Sequence, residues 1–143
     1  MKVVPDSNLI VALVIPVPYT AAATRKMQQW QNTNVELVVP TLWAYEVVST
    51  LRKAVAISGL SADRVAAGLQ YILSLNIPQV PPTPALHQQA LIWAGRLNQI
   101  VAYDAAYLAL AESQDAEFWT ADRRIADAAR NLNISWVHHI EEA

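Results

Sequence analysis

The chain has 143 residues, 54% of them apolar and 15% charged, the size of one ordinary domain and apolar enough to exclude disorder and to fill a core. It has no cysteine, which excludes disulfides, thiolate zinc sites and thiol nucleophiles. Its formal charge of −2, from ten Lys and Arg against twelve Asp and Glu, excludes a strongly basic, non-specific nucleic-acid binder. Gly59, Gly68 and Gly95 are too far apart to build a phosphate-cradling loop.

Val3-Val4 reads as a first strand ending at Pro5-Asp6, and Ser7 opens a short helix to about Val14. A second helix runs from Thr20 or Ala21 to about Gln31. Val35 to Val39 form one strand, closed by Pro40. Thr41 then suits the cap of a helix whose apolar face is Ala44, Val48, Leu51 and Val55, ended by Gly59. Ser61 caps the next helix, with Asp63 in its first turn where the helix dipole favours negative charge. A weak strand lies at Gln79-Val80, and Thr83-Pro84 is a cap-plus-first-position pair opening a helix to about Leu97. Ala102 to Ser113 is a helix, Phe118 to Thr120 a strand, Ile125 to Leu132 a helix and Ile134 to Val137 a last strand. Strands that alternate with helices imply an α/β fold, with a parallel sheet covered on both faces.

The longest apolar run, Leu9 to Val17, contains Pro16 and is nine residues long, where a membrane span needs about 20. Lys2, this run and Ala21 to Ala23 mimic a secretory leader, but Asp6-Ser7-Asn8 interrupts it. A soluble cytoplasmic protein with no membrane partner is expected.

An open parallel sheet binds ligands beyond the carboxyl ends of its strands, where strand order reverses. Helices that follow strands begin on that same rim. Asp6 directly follows the first strand and Asp122 follows the strand Phe118 to Thr120 by two residues, while Glu46 and Asp104 lie near helix starts, so the topology can bring these four acids together. Four carboxylates without paired cations either take up protons or bind a cation. With oxygen ligands and no cysteine, that cation is Mg²⁺ or Mn²⁺, and the chemistry is metal-assisted phosphodiester hydrolysis. Setting the four aside leaves eight acids against ten bases.

Each acid also has an ordinary reading. Asp6 suits an N-cap, Glu46 a solvated helix face, Asp104 a helix dipole and Asp122 a turn before Arg123. Thr120 can be a plain strand residue, and Asn8 can serve a local turn as well as a site. Arg123 and Arg124 are near enough to the rim to hold an RNA phosphate, or are a solvated helix start. Glu112 and the adjacent His138 and His139 read as surface, and the five tryptophans as core or interface.

Four segments together resemble a known family: Pro5-Asp6-Ser7-Asn8, Pro40 to Glu46, Tyr103 to Glu112, and Trp119 to Arg124. In this order they resemble the PIN-domain ribonucleases of the VapC toxin type, over nearly the whole chain. The resemblance implies a three-layer α/β/α fold with about five mostly parallel strands in an order near 3-2-1-4-5. It also implies RNA cleavage that depends on Mg²⁺ or Mn²⁺. Asp6, Glu46, Asp104 and Asp122 would be the catalytic, metal-binding acids, with Asn8 and Thr120 in support. A small VapB-type antitoxin and a second copy of the chain would be partners. A proline before the first Asp is not the family's commonest form, and Pro5 removes a backbone donor at the strand end. A PIN-like domain that holds RNA or a protein without cutting is the alternative. A phosphoacceptor domain lacks a lysine after a late strand, and a phosphatase of the Asp-x-Asp type is disfavoured by Asn8.

Overall fold

A computed structural model describes residues 1–99 and 102–142. Strand β1 (Lys2–Pro5) is followed by α1 (Ser7–Val11) and α2 (Thr20–Asn32). Next come β2 (Glu36–Leu37), β3 (Val39–Pro40), α3 (Leu42–Ala56), α4 (Ala62–Ser74) and β4 (Gln79–Val80). The chain continues through α5 (Pro84–Arg96), α6 (Tyr103–Ser113), β5 (Glu117–Thr120), α7 (Arg123–Asn131) and β6 (Val137–His139). All pairings are parallel, in a four-stranded sheet of order β2-β1-β5-β6 and a two-stranded one of order β3-β4.

Successive residues of β5 show the two covered faces. Phe118 packs against Tyr107 of α6, with ring centroids 5.6 Å apart, whereas Trp119 meets Trp30 of α2 edge-on at 6.0 Å. Side chains alternate across a strand, so α6 and α2 lie on opposite sides of the sheet and the architecture is three-layered. Val3, Val4, Phe118, Tyr107 and Leu108 are fully buried between the layers. Among the described residues no helix is long and apolar enough to cross a membrane.

The expected second strand is broken at Val38, and Pro5 explains the break. Val38 donates its amide to the Val3 carbonyl at 3.0 Å. The next rung of a parallel ladder needs an amide on residue 5, and Pro5 has none. The chain turns away from β1 there, and Val39 donates to Pro78 beside β4 at 3.0 Å. Reading β2 and β3 as the two halves of one strand recovers the expected 3-2-1-4-5 sequence of neighbours.

Five other expectations are corrected. Thr41 adopts helical backbone angles and makes no side-chain cap bond; its amide instead donates to Val80 at 3.2 Å. The buried face of α3 is Trp43, Val47, Leu51 and Ala54, so Val48 points outward at 53% exposure. The last strand starts at Val137, because the Ile134 amide is already used to close α7 on the Ala129 carbonyl, at 2.9 Å. His139 is buried, with Nε2 3.1 Å from the Ala121 carbonyl, and half-buried His138 stacks on Trp119. The first helix also stops at Val11, ahead of Val14.

Helices α2, α5, α6 and α7 end alike. The second residue past each helix, Asn34, Asn98, Asp115 or Asn133, is left-handed, with φ between 52° and 59°. The amide after it reaches back to the third-from-last carbonyl of the helix, as in Val35 to Trp30 and Ala116 to Ala111. This is the Schellman closure, with Asn or Asp where glycine is usual. It lets a chain with three glycines stop its helices cleanly.

Candidate functional site: an acidic rim at the strand ends

Strand β1 lies between β2 and β5, so the order reverses across the β1–β5 boundary. Asp6 extends β1 by one rung, its amide donating to the Trp119 carbonyl at 2.8 Å. It stands at the start of α1 but makes no side-chain cap bond, so its carboxylate is free for other partners. Asp6 is 6% exposed, and its carboxylate is held by neutral donors. Thr120, fully buried at the end of β5, donates its hydroxyl to Oδ2 at 2.7 Å, and Asn8 Nδ2 approaches the same oxygen at 3.4 Å. Asn8 also accepts from the Ala121 amide at 3.2 Å, and Thr120 Oγ1 accepts from the Asp122 amide at 3.0 Å. Asn8 and Thr120 thus tie the two strand ends together around Asp6, beyond a local turn or a plain strand role.

The other acids arrive on helices. Glu46 sits in the second turn of α3, half-buried, and accepts a short hydrogen bond from the hydroxyl of Tyr107 on α6. Asp104, second residue of α6, accepts from Gln99 Nε2 at 3.3 Å. Asp122 caps α7, accepting the Arg124 amide at 2.9 Å, and is gripped by the Arg124 guanidinium at 3.1 Å. Its turn-and-cap role is therefore real as well.

The electrostatics tie the four together. Burial pushes the Asp6 carboxyl from the usual 3.8 up to about 7; the Thr120 bond resists this, and the charges of Glu46 and Asp104 add to it. Glu46 is raised by burial and by Asp104, against the opposing Tyr107 bond. Asp104 is raised by burial and by Asp122, with Arg124 opposing. For Asp122 partial burial also works upward, but the bonds and charge of Arg124 win and hold it below the usual range. Asp6, Glu46 and Asp104 therefore share one under-neutralised neighbourhood, and Asp122 borders it with its own cation.

Among the described residues, no three His, Cys, Asp or Glu side chains are gathered tightly enough to enclose an ion by themselves. The donor set still suits Mg²⁺ or Mn²⁺, which takes one or two carboxylates and fills its shell with water and phosphate oxygens. An all-oxygen set with excess negative charge fits such an ion and does not suit soft metals.

The two arginines part company. Arg124 lies against the acids, while Arg123 is paired with Glu141 on the C-terminal segment. Glu112 stays on the surface, accepting from Trp93 Nε1 at 3.3 Å. Nothing in the sequence alone marks Gln99 for a role, and for Tyr107 the one signal is its position three residues after Asp104 and so on the same side of α6. Beside the rim, a groove of about 720 Å³ opens between α3, α5 and α6, lined by Leu42, Leu86, Ala90, Leu91 and Tyr103. Leu91 and Tyr103 are largely exposed there.

The profile of the PIN domain family matches residues 3–131. Ribonuclease VapC3 of Pyrobaculum aerophilum is 31% identical over 128 residues, covering 89% of this chain and 94% of that protein. Ribonuclease VapC9 of Mycobacterium tuberculosis is 34% identical over 94 residues, 66% of this chain and 71% of that protein. Among solved structures, PAE2754 from Pyrobaculum aerophilum superposes with a TM-score of 0.69 at 20% identity, over 99% of this chain and 85% of its own. A chain of VapBC2 from Rickettsia felis, crystallised with a DNA fragment from the promoter, gives 0.70 at 10% identity, over 97% of this chain and 98% of its own. FitAcB from Neisseria gonorrhoeae gives 0.62 at 20% identity, over 99% of each chain. At these identities the structural likenesses speak to the fold.

Proposed function

The chain belongs to the PIN-domain family, and from that premise we propose that it is a divalent-metal-dependent ribonuclease, the toxin of a VapBC-type toxin–antitoxin pair acting in the cytoplasm. The observation that carries this reading is the meeting of Asp6, Glu46 and Asp104 at the strand ends, where Glu46 and Asp104 raise Asp6, Asp104 raises Glu46, and the nearby cation Arg124 is bonded to Asp122. Asp6 and Asp104 would hold Mg²⁺ or Mn²⁺, with Glu46 and Asp122 completing the site directly or through water. When bound, the ion polarises the phosphodiester and lowers the pKa of a water. The chain's own groups do the rest. Thr120 and Asn8 fix Asp6, Gln99 fixes Asp104, and Arg124 stands at the rim where a phosphate of the RNA backbone would enter. Arg123, bonded to Glu141, is the less available of the two cations.

The relatives named for two-component complexes support a small antitoxin as partner. The apolar groove next to the acids is a suitable seat for a segment of it. A homodimer is the proposed assembly.

Cleavage of RNA in Mg²⁺ or Mn²⁺, measured with purified protein, tests the reading. Asp6→Asn and Asp104→Asn should each abolish it while the circular dichroism spectrum is preserved. Equal cleavage in both variants overturns the site. RNA binding without any turnover would leave a binding domain that does not cut.

A further inference from the structure

Glu46 differs from Asp6 in how it is held. Asp6 is buried at a strand end and confined by its surroundings. Glu46 is half-buried on α3, its carboxylate at the end of a long side chain with three rotatable bonds, beside the exposed Tyr45. Ordering such a side chain costs up to about 2 kcal/mol of rotamer freedom. Two hydroxyls restrain it, that of Tyr107 more strongly than that of Ser7. Tyr107 is fully buried, and its ring is wedged against Phe118 at 5.6 Å between centroids. Its hydroxyl reaches the rim and donates to Oε1 of Glu46, across 61 residues of sequence.

We propose that Tyr107 is a positioning residue: its core-anchored hydroxyl takes Oε1 of Glu46 so that the other oxygen faces the cation site. Tyr107 touches neither substrate nor ion. It acts through Glu46, so this inference rests on the metal-dependent reading above. The arrangement also links two helices. One face of α6 carries Asp104 and, a turn later, the group that aims the acid of α3, so both acids are placed by one packed element. A tyrosine that merely needed an acceptor for its buried hydroxyl would make the same bond, and the experiment has to separate the two roles.

Calorimetric titration of Mn²⁺ into wild type, Tyr107→Phe, Glu46→Asp and the double variant separates them. Phenylalanine keeps the ring and deletes only the hydroxyl. Glu46→Asp keeps the charge and shortens the reach. Partners that orient metal ligands are worth about 10- to 100-fold in affinity, so Tyr107→Phe should weaken Mn²⁺ binding at least tenfold while KM for RNA stays put and kcat falls. In the Glu46→Asp background the same change should do nothing more, because the link is already broken. Unchanged Mn²⁺ affinity in Tyr107→Phe, or losses that multiply in the double variant, overturns the role. If Tyr107→Phe melts too early to titrate, Glu46→Asp must still lose affinity at least tenfold, and its failure to do so overturns the role too. Wild type that binds no Mn²⁺ at millimolar concentration overturns the metal reading itself, a result distinct from a Tyr107→Phe that matches a binding wild type.

Discussion

Thr120 and Asp6 lie 114 residues apart and share a hydrogen bond of 2.7 Å, from a fully buried hydroxyl to a nearly buried carboxylate. The same hydroxyl oxygen accepts the Asp122 amide at 3.0 Å, so one side chain organises the ends of β1 and β5 and the entry to α7. Thr120→Val keeps the shape but leaves a buried carboxylate oxygen and an amide short of a partner. A loss of about 1–3 kcal/mol is expected, together with a large drop in RNA cleavage. Thr120→Ser should keep most of both. Urea denaturation and an RNA cleavage assay read the two effects, and a Thr120→Val protein as stable and active as wild type would show that the bond is incidental.

The Asp6 carboxyl gives the metal-free protein a distinctive pH dependence. It titrates near 3.8 in an unfolded chain and at about 7 in the fold. Between those values the native state keeps a proton that the unfolded state has released, so stability falls as pH rises from about 4 to about 7 and levels off above. The full span is on the order of a few kcal/mol. Glu46 and Asp104, also raised, act in the same direction, whereas Asp122, held low, works oppositely and loses stability as pH falls. Asp6→Asn should therefore melt higher than wild type at pH 7 without metal, with a flatter slope between pH 5 and pH 7, while being inactive. Identical slopes for the two proteins would remove Asp6 as the source.

Arg124 occupies Asp122 through both its side chain and its amide. A guanidinium on one of the four acids competes with an incoming cation. Arg124→Ala should therefore bind Mn²⁺ more tightly than wild type in the absence of RNA, yet bind RNA more weakly and with a shallower dependence on salt. Arg123→Ala, which removes a cation already bonded to Glu141, should leave Mn²⁺ binding unchanged. Weaker Mn²⁺ binding in Arg124→Ala would reverse this account.

Asp115 closes α6 in a left-handed conformation, φ 52°, with its carboxylate at the negative end of the helix dipole. Asp115→Gly relieves both the steric cost and the unfavourable charge, and should stabilise the fold by about 1 kcal/mol. Asp115→Asn removes only the charge and should gain part of that. Thermal melting at neutral pH reads the series, and a lower melting temperature for Asp115→Gly would contradict it.

Local signals were legible where one residue type settles a local choice. Ser61 and Thr83 cap their helices as expected, accepting from the Arg64 and Leu86 amides at 3.1 and 3.2 Å. Asp6, Glu46 and Asp122 were legible as a rim because strand ends and the starts of helices that follow strands share one side, whereas Asp104 stands on α6, which follows another helix. What escaped depends on which neighbour, near or far in sequence, claims a given group. Pro5 ends the pairing of β2 only because β2 is its neighbour. Ile134 leaves the last strand because the cap of α7 claims its amide. Val47 and Val48 are equivalent to any pattern read from sequence, and the burial of Trp43 decides which faces inward. The hydroxyl of Tyr107 looks like core until α3 packs beside it.

Because β1 finds its neighbour β5 only after the chain has passed through α6, the acid neighbourhood cannot form on a partly synthesised chain. Asp6 emerges early from the ribosome, yet its tether Thr120 and the nearby Asp122 are made more than a hundred residues later. Contacts of such sequence separation form late. A nascent chain that has not yet emerged as far as Thr120 and Asp122 therefore lacks the assembled acids, and the groups that would hold a cation come together only once β5 has joined the sheet.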